Sequence, residues 1–165
     1  MQRMPLMLCA VLVLTSFGCL AANSQSRSPM QDVMYFADGA WLRHQAELGD
    51  PRFQFTLGNK YFTADPSLKI AQDYDQAEFW YRRAARQGYS DAAYNLAVMK
   101  VQGIGGQIDL VEGLAWLEVA AGFGHKLSRE LAAELREIMS DERGSQADEL
   151  KAKLVPGYDR LVSNR

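Results

Sequence analysis

Cysteine is scarce in this 165-residue chain, and both copies, Cys9 and Cys19, lie near its N-terminus. A mature protein that begins after this region would have no disulfide and no thiol for catalysis or redox chemistry. Basic residues are not in excess either, because 18 Lys and Arg are set against 20 Asp and Glu, which gives a net charge of -2. A basic surface for nucleic acid or for an anionic membrane is therefore not expected.

Sustained alternation of apolar and polar residues, the pattern typical of strands, is also missing from the chain beyond its first 22 residues. The overall composition, 48% hydrophobic and 23% charged, is ordinary for a folded domain. We therefore expect one all-helical domain rather than a sheet-based or disordered protein.

One long apolar run is present, at residues 5–17, with Arg3 before it and small residues after it. This layout predicts a secretory signal over residues 1–22, a polar linker over residues 23–28, and a location in the periplasm or cell envelope. The run is short for a bilayer span, so a retained N-terminal anchor is the less favoured alternative.

Cys19 follows Gly18, as in bacterial lipoprotein signals. Ser16 and Phe17 stand where that pattern has an aliphatic and a small residue, so lipidation of Cys19 remains a second alternative. A lipid there would be the protein's one link to a membrane.

A nine-residue phrase occurs three times, as WLRHQAELG, WYRRAARQG and WLEVAAGFG. Each copy has Trp first, Ala five residues later and Gly eight residues later. These positions are Trp41, Ala46, Gly49, Trp80, Ala85, Gly88, Trp116, Ala121 and Gly124. The copies are offset by 39 and 36 residues, and such a period is typical of stacked helical repeats in which each Trp packs into a shared core.

Helix-end residues fit this register. Each phrase ends in Gly, which adopts the left-handed C-cap conformation at little cost. Asp50 before Pro51 predicts a helix start, Ser90 is a predicted N-cap, and Asp109 with Glu112 is a predicted capping box. The sequence therefore predicts antiparallel helix pairs joined by short loops, with one longer loop between Thr63 and Gln72.

These residues resemble the Sel-one-like repeats (SLR), relatives of the tetratricopeptide repeats. The first unit matches through Leu57-Gly58, Tyr61, Asp73-Tyr74, Ala77, Trp80-Tyr81, Ala84-Ala85 and Gly88. The second keeps Ala92, Leu96, Gly103 to Gly105, Asp109, Trp116, Ala120-Ala121 and Gly124, but has Lys100 in place of Tyr and Ala97 in place of Gly.

The resemblance implies a short right-handed α-solenoid of antiparallel helix pairs, with about 2.5 repeats and a C-terminal capping helix. Its expected parts are a leading half repeat at residues 29–49, full repeats at 50–88 and 89–124, and capping helices with a tail at 125–165.

For function, the resemblance implies an exported scaffold or adaptor that binds a protein or peptide on its concave face. If the first helix of each pair lines that face, as in tetratricopeptide proteins, the candidate partner-binding residues are Phe55, Asn59, Phe62, Tyr94, Val98 and Val101. The alternative is that several of these side chains belong to the core.

Motifs for catalysis are weak. His44 and His125 are the only histidines, and neither has a second ligand at metal spacing. GIGGQID lacks the Lys-Ser or Lys-Thr of a phosphate loop, and no Ser nucleophile elbow is present. No catalytic, metal or cofactor site is therefore predicted, and an envelope hydrolase with an unrecognised active site is the less favoured function.

Overall fold

The computed structural model describes residues 39–163, whose regular structure is helical apart from one isolated bridge between Asp65 and Ile70. The α-helices of this part are α1 (Gly39–Glu47), α2 (Pro51–Thr63), α3 (Tyr74–Arg86), α4 (Ser90–Gln102), α5 (Leu110–Gly122), α6 (Lys126–Ile138), α7 (Asp141–Leu154) and α8 (Tyr158–Ser163). A short 3-10 helix, Pro66–Leu68, lies in the loop predicted between Thr63 and Gln72.

Neighbouring helices pack against each other along the chain from α1 to α6, and α7 packs against α5. The predicted all-helical fold of adjacent helix pairs is confirmed. The region expected to cap the stack, residues 125–165, contains the helices α6, α7 and α8. The predicted signal at residues 1–22, with Cys19, and the predicted linker at 23–28 lie outside the described residues.

The predicted glycine and aspartate helix ends are confirmed. Gly49, Gly88 and Gly124 have φ of 105°, 85° and 94°, a range in which a Cβ atom is strained. Asp50 accepts a hydrogen bond from the backbone N–H of Arg52 at 2.9 Å, which satisfies a donor that the first helical turn leaves free.

Ser90 is not an N-cap, contrary to its prediction. Tyr89 stands at the cap position without a side-chain hydrogen bond, and Ser90 is the first residue of α4. Ser90 Oγ lies 3.4 Å from the carboxylate of Asp91 instead of satisfying the backbone of α4.

Only half of the predicted capping box at α5 forms. Asp109 accepts a hydrogen bond from the backbone N–H of Glu112 at 2.9 Å. The backbone N–H of Asp109 donates to the carbonyl of Lys100, so it does not need the Glu112 side chain. That carboxylate instead accepts a hydrogen bond from Trp116 Nε1 at 3.2 Å.

The three tryptophans differ in burial. Trp116 is fully buried and Trp80 is 6% exposed, whereas Trp41 is half-buried and meets Phe53 edge to face, with ring centroids 5.2 Å apart. Trp80 Nε1 is buried without a hydrogen-bond partner.

The repeated alanines also differ in burial. Ala46 and Ala85 are fully buried, but Ala121 is half-buried and its neighbour Ala120 takes the buried position. The repeated phrase is therefore core-facing in all three copies, though not equally at every position.

Small residues let successive helices approach closely. A Cβ atom added to Gly58 of α2 would lie 2.6 Å from the ring of Tyr81 on α3, and Tyr81 is almost fully buried. The corresponding residues of the next unit are Ala97 and Leu117. The unit with the larger side chain, Tyr81, therefore has the smaller residue, Gly58, opposite it.

We expect Gly58→Ala to lower the free energy of unfolding by about 1–3 kcal/mol, because the buried Tyr81 ring must shift to admit the methyl group. The higher helix propensity of Ala, worth up to about 1 kcal/mol, offsets only part of this cost. Chemical denaturation measures the change. Gly106→Ala is the control, since no atom lies within 4 Å of its Cβ position.

Adding Tyr81→Leu should make the two changes together cost less than the sum of their separate costs, because Leu leaves room for the methyl group. A Gly58→Ala protein as stable as the wild type would contradict this account of the contact.

Candidate functional site

An open cavity of about 460 Å³ lies between α4 and α6. Helix α5 contributes Leu117, which is 4% exposed and forms the base. We call this cavity the groove; its other lining residues are Tyr94, Ala97, Val98, Val101 and Gln102 from α4, and Leu131, Glu134, Leu135 and Ile138 from α6.

The groove follows from helical spacing. Tyr94, Val98 and Val101 recur at intervals of four and three residues, so they share one face of α4. Leu131 and Ile138 are two turns apart on α6, and Ile138 is 79% exposed. Such an exposed apolar side chain beside an apolar cavity is typical of a binding surface.

The groove brings together three of the six residues predicted to contact a partner, Tyr94, Val98 and Val101. All three are half-buried, so each has both a structural role and accessible surface. The other three predicted residues, which all belong to α2, do not line the groove.

The side chains of Phe55 and Asn59 contact other residues of the fold. Phe55 packs between Tyr81 and Tyr89, with ring centroids 5.9 Å and 4.9 Å away. Asn59 Oδ1 accepts hydrogen bonds from the Tyr81 hydroxyl at 2.7 Å and from Asn95 Nδ2 at 3.3 Å. Burial raises the pKa of Tyr81 to about 12, so the hydroxyl keeps its proton and continues to donate.

Phe62 meets Tyr74 edge to face, with ring centroids 5.5 Å apart. Phe55 and Asn59 of α2 therefore contact Tyr89, at the start of α4, and Asn95 within it, whereas the groove separates α4 from α6. That Phe55, Asn59 and Phe62 contact a partner stays a prediction.

His125 is a residue of this site that the sequence did not indicate. Its ring stacks on Tyr94 with centroids 4.5 Å apart and planes 22° apart. Its Nδ1 accepts a hydrogen bond from the backbone N–H of Ser128 at 3.2 Å. The imidazole thus caps the start of α6 and supports the Tyr94 wall of the groove, whereas sequence reasoning considered it only as a catalytic or metal-binding group.

Four charged side chains join α3, α4 and α5 through ion pairs. We call Glu78, Arg82, Lys100 and Glu112 the first ion network. Lys100 Nζ lies 2.9 Å from Glu78 and 3.4 Å from Glu112, and Arg82 lies 3.0 Å from Glu112 and also pairs with Glu78. The guanidinium of Arg82 also lies over the ring of Trp116, at 5.6 Å. Lys100, which departs from the SLR pattern, therefore holds two carboxylates of neighbouring helices.

Burial and pairing oppose each other in this network. Burial disfavours the charged form of Glu78, but hydrogen bonds from Lys100 and Arg82 outweigh it and keep the pKa of the carboxyl below its usual range. Burial likewise disfavours the ammonium of Lys100, yet the pairing with Glu78 and Glu112 raises its pKa. Both groups are therefore charged at neutral pH.

A second ion network fastens the C-terminal helices. Glu118 on α5 pairs with Arg136 on α6 and, at 2.7 Å, with Lys151 on α7. Asp148 lies 2.9 Å from Arg136 and 3.3 Å from Lys151. Arg82 and Glu118 each stand two residues after a repeated Trp, so equivalent positions carry opposite charges.

Within residues 39–163, no group of three or more His, Cys, Asp or Glu side chains is placed to hold a metal ion. His44 is exposed and lies far along the chain from His125. None of the helices described is both long enough and apolar enough to span a bilayer.

The chain is similar in sequence and in structure to known helical repeat proteins. The Sel1 repeat model matches residues 52–89 and 90–122. A protective antigen present in uropathogenic Escherichia coli strains, which displays an SLR fold, superposes with a TM-score of 0.67 at 25% identity over 81% of this chain and 30% of that one.

A Sel1 repeat protein from Oxalobacter formigenes superposes with a TM-score of 0.50 at 32% identity over 55% of this chain and 36% of its own. The chain thus spans about a third of the length of each of these structures. No curated protein matches the sequence.

Lys100→Met should destabilise the protein at neutral pH by about 1–2 kcal/mol, because Glu78 and Glu112 are then left beside a single cation. Since the pKa of Glu78 is lowered on folding, the stabilisation by this pairing is complete above the ordinary carboxyl pKa of about 4.3 and is lost as the pH falls through the lowered value. Thermal melts of both proteins along an acid series measure the difference, which should shrink as the pH falls.

Lys153→Met is the matched control, because Lys153 is exposed and its nearest carboxylate oxygen, on Glu149, is 4.0 Å away. A stability difference for Lys100→Met that does not change with pH would show that packing, not charge, explains it.

Proposed function

Because the chain is a Sel1 repeat protein with two matched units, we propose that it is a scaffold that holds a protein or peptide partner in the groove between α4 and α6. Sel1 repeats generally mediate protein interactions. The observation that carries the proposal for this chain is the open apolar groove with Ile138 exposed at its edge.

The shape of the groove supports a protein ligand. Its lining is mostly apolar, with Glu134 and Gln102 as polar groups at the sides. A few large side chains that enter a desolvated pocket commonly dominate the affinity of a protein interface. The buried Leu117 and the His125 ring stacked on Tyr94 hold the groove side chains in place, so little side-chain entropy is lost on binding.

We also propose that the protein acts in the cell envelope. The support for this location is the sequence pattern of residues 1–22, with lipidation of Cys19 as a variant of the same route. Intact-mass measurement of the protein from envelope fractions tests it, since removal of the signal and addition of lipid change the mass in opposite directions.

Val98→Ala combined with Ile138→Ala should weaken capture of the native partner by about tenfold or more, because both side chains contribute apolar surface to the groove. Chemical cross-linking in envelope fractions, followed by quantification of the partner, measures capture. Circular dichroism and thermal melts should show that the variant remains folded.

The matched control is Leu48→Ala combined with Ile108→Ala, which removes exposed apolar groups outside the groove. Equal capture by the groove variant and the wild type would exclude the groove as the binding surface. His44→Ala should leave capture unchanged; loss of cellular activity in that folded variant would favour the hydrolase.

A further inference from the structure

We propose that the segment bound in the groove is basic and amphipathic: it presents apolar side chains to the groove and Lys or Arg to the acidic edge beside it. This inference rests on the proposed function and specifies the chemistry of the partner. It is carried by the charges around the groove and by the partners those charges have.

Four carboxylates border the groove, and we call them the acidic rim: Asp91, Glu130, Glu134 and Glu137. All four are exposed. The three on α6 stand at intervals of four and three residues, so they form one stripe along the helix. Glu134 itself lines the groove, and Glu130 and Glu137 stand one turn before and one turn after it, on the adjoining exposed side of α6.

The acidic rim takes no part in the ion pairs of residues 39–163. Among the residues described, the ion pairs engage other carboxylates, and none includes a member of the rim. Two basic residues on the helices that line the groove pair with other carboxylates. Lys100 of α4 pairs with Glu78 and Glu112, and Arg136 of α6 pairs with Glu118 and Asp148.

Two further basic residues of α6, Lys126 and Arg129, are exposed. Arg129 lies on the side of α6 opposite to Leu131, whereas Lys126 stands one turn before Glu130, at the end of the stripe that is farther from Glu134 and Glu137. Like charges one turn apart repel each other, so the stripe of Glu130, Glu134 and Glu137 is unfavourable in the free protein. A cation from a bound segment would relieve that repulsion.

The apolar part of the groove fits a short helix-sized ligand. A cavity of about 150 Å³ holds a benzene ring, so 460 Å³ has room for roughly three such groups. The lining residues span about two helical turns on each wall, from Tyr94 to Gln102 and from Leu131 to Ile138. A segment with apolar side chains at i, i+4 and i+7 matches that length.

Two synthetic helical peptides test the proposal. They have the same length and the same three leucines at i, i+4 and i+7, but one carries Lys and the other Glu at the flanking positions. Fluorescence anisotropy should show the Lys peptide binding the wild-type protein at least about tenfold more tightly than the Glu peptide at low salt. Because rim and ligand charges are exposed to solvent, the ratio should fall as salt is added.

Glu134→Lys combined with Glu137→Lys should reverse the preference and favour the Glu peptide. The control is Glu142→Lys combined with Glu149→Lys on α7, which changes the net charge equally on a helix that does not line the groove. That control should keep the wild-type preference.

Equal affinity for the two peptides, or a reversal that the α7 control also shows, would overturn the proposal. Binding of the Lys peptide that survives Val98→Ala with Ile138→Ala would also overturn it, because the peptide would then sit outside the groove. If neither peptide binds while native capture still depends on Val98 and Ile138, this inference fails and the scaffold function stands. If native capture is independent of both residues, the scaffold function itself fails.

Discussion

Burial of α5 is the constraint on which the rest of the structure depends. Seven of its residues are buried, from Gly113 to Ala120, and the helix packs against α4, α6 and α7. A helix that is apolar on more than one face has to be covered on more than one side. The helix pair that follows the second repeat supplies this cover, so the C-terminal helices are part of the core and not an appendage.

The close contacts of α5 depend on glycine as well as on tryptophan. A Cβ atom at Gly113 would lie 2.6 Å from Val101, and one at Gly122 would overlap the Tyr158 hydroxyl. That hydroxyl donates a hydrogen bond to the carbonyl of Glu118 at 3.0 Å. Helices α4 and α8 therefore approach α5 more closely than a residue larger than glycine would allow at these two positions.

The ion networks tie together helices that the apolar core already aligns. Arg82 of α3 pairs with Glu112 of α5, and Glu118 of α5 pairs with Lys151 of α7. Partly buried pairs of this kind gain little net stability but are costly to break on one side only.

The repeat pattern predicted the fold because it consists of residues with strong conformational or packing preferences. Positive φ at Gly88 and packing of Trp116 follow from backbone sterics and from ring size, and both can be read from spacing. Ser90 was misread because a helix start one residue earlier satisfies the same pattern.

The groove was predictable only in part. Spacing places Tyr94, Val98 and Val101 on one face of α4, but it does not reveal how far α6 stands from that face. Nor does it show that Phe55 and Asn59 make their contacts inside the fold, since that depends on Tyr81 and Asn95 from other helices. The cap formed by His125 was missed because imidazole is an uncommon N-cap, and the chain gives no other sign of it.

The proposed scaffold function requires that a partner protein occupies the space between α4 and α6 in the cell. Site-specific photo-cross-linking tests it most directly, with the photoreactive residue placed at Val98 in the groove or at Arg83, which is exposed on α3. The account predicts a discrete adduct with one protein from position 98 and none with that protein from position 83. An adduct with the same protein from position 83 alone would place the binding surface outside the groove and contradict the proposed function.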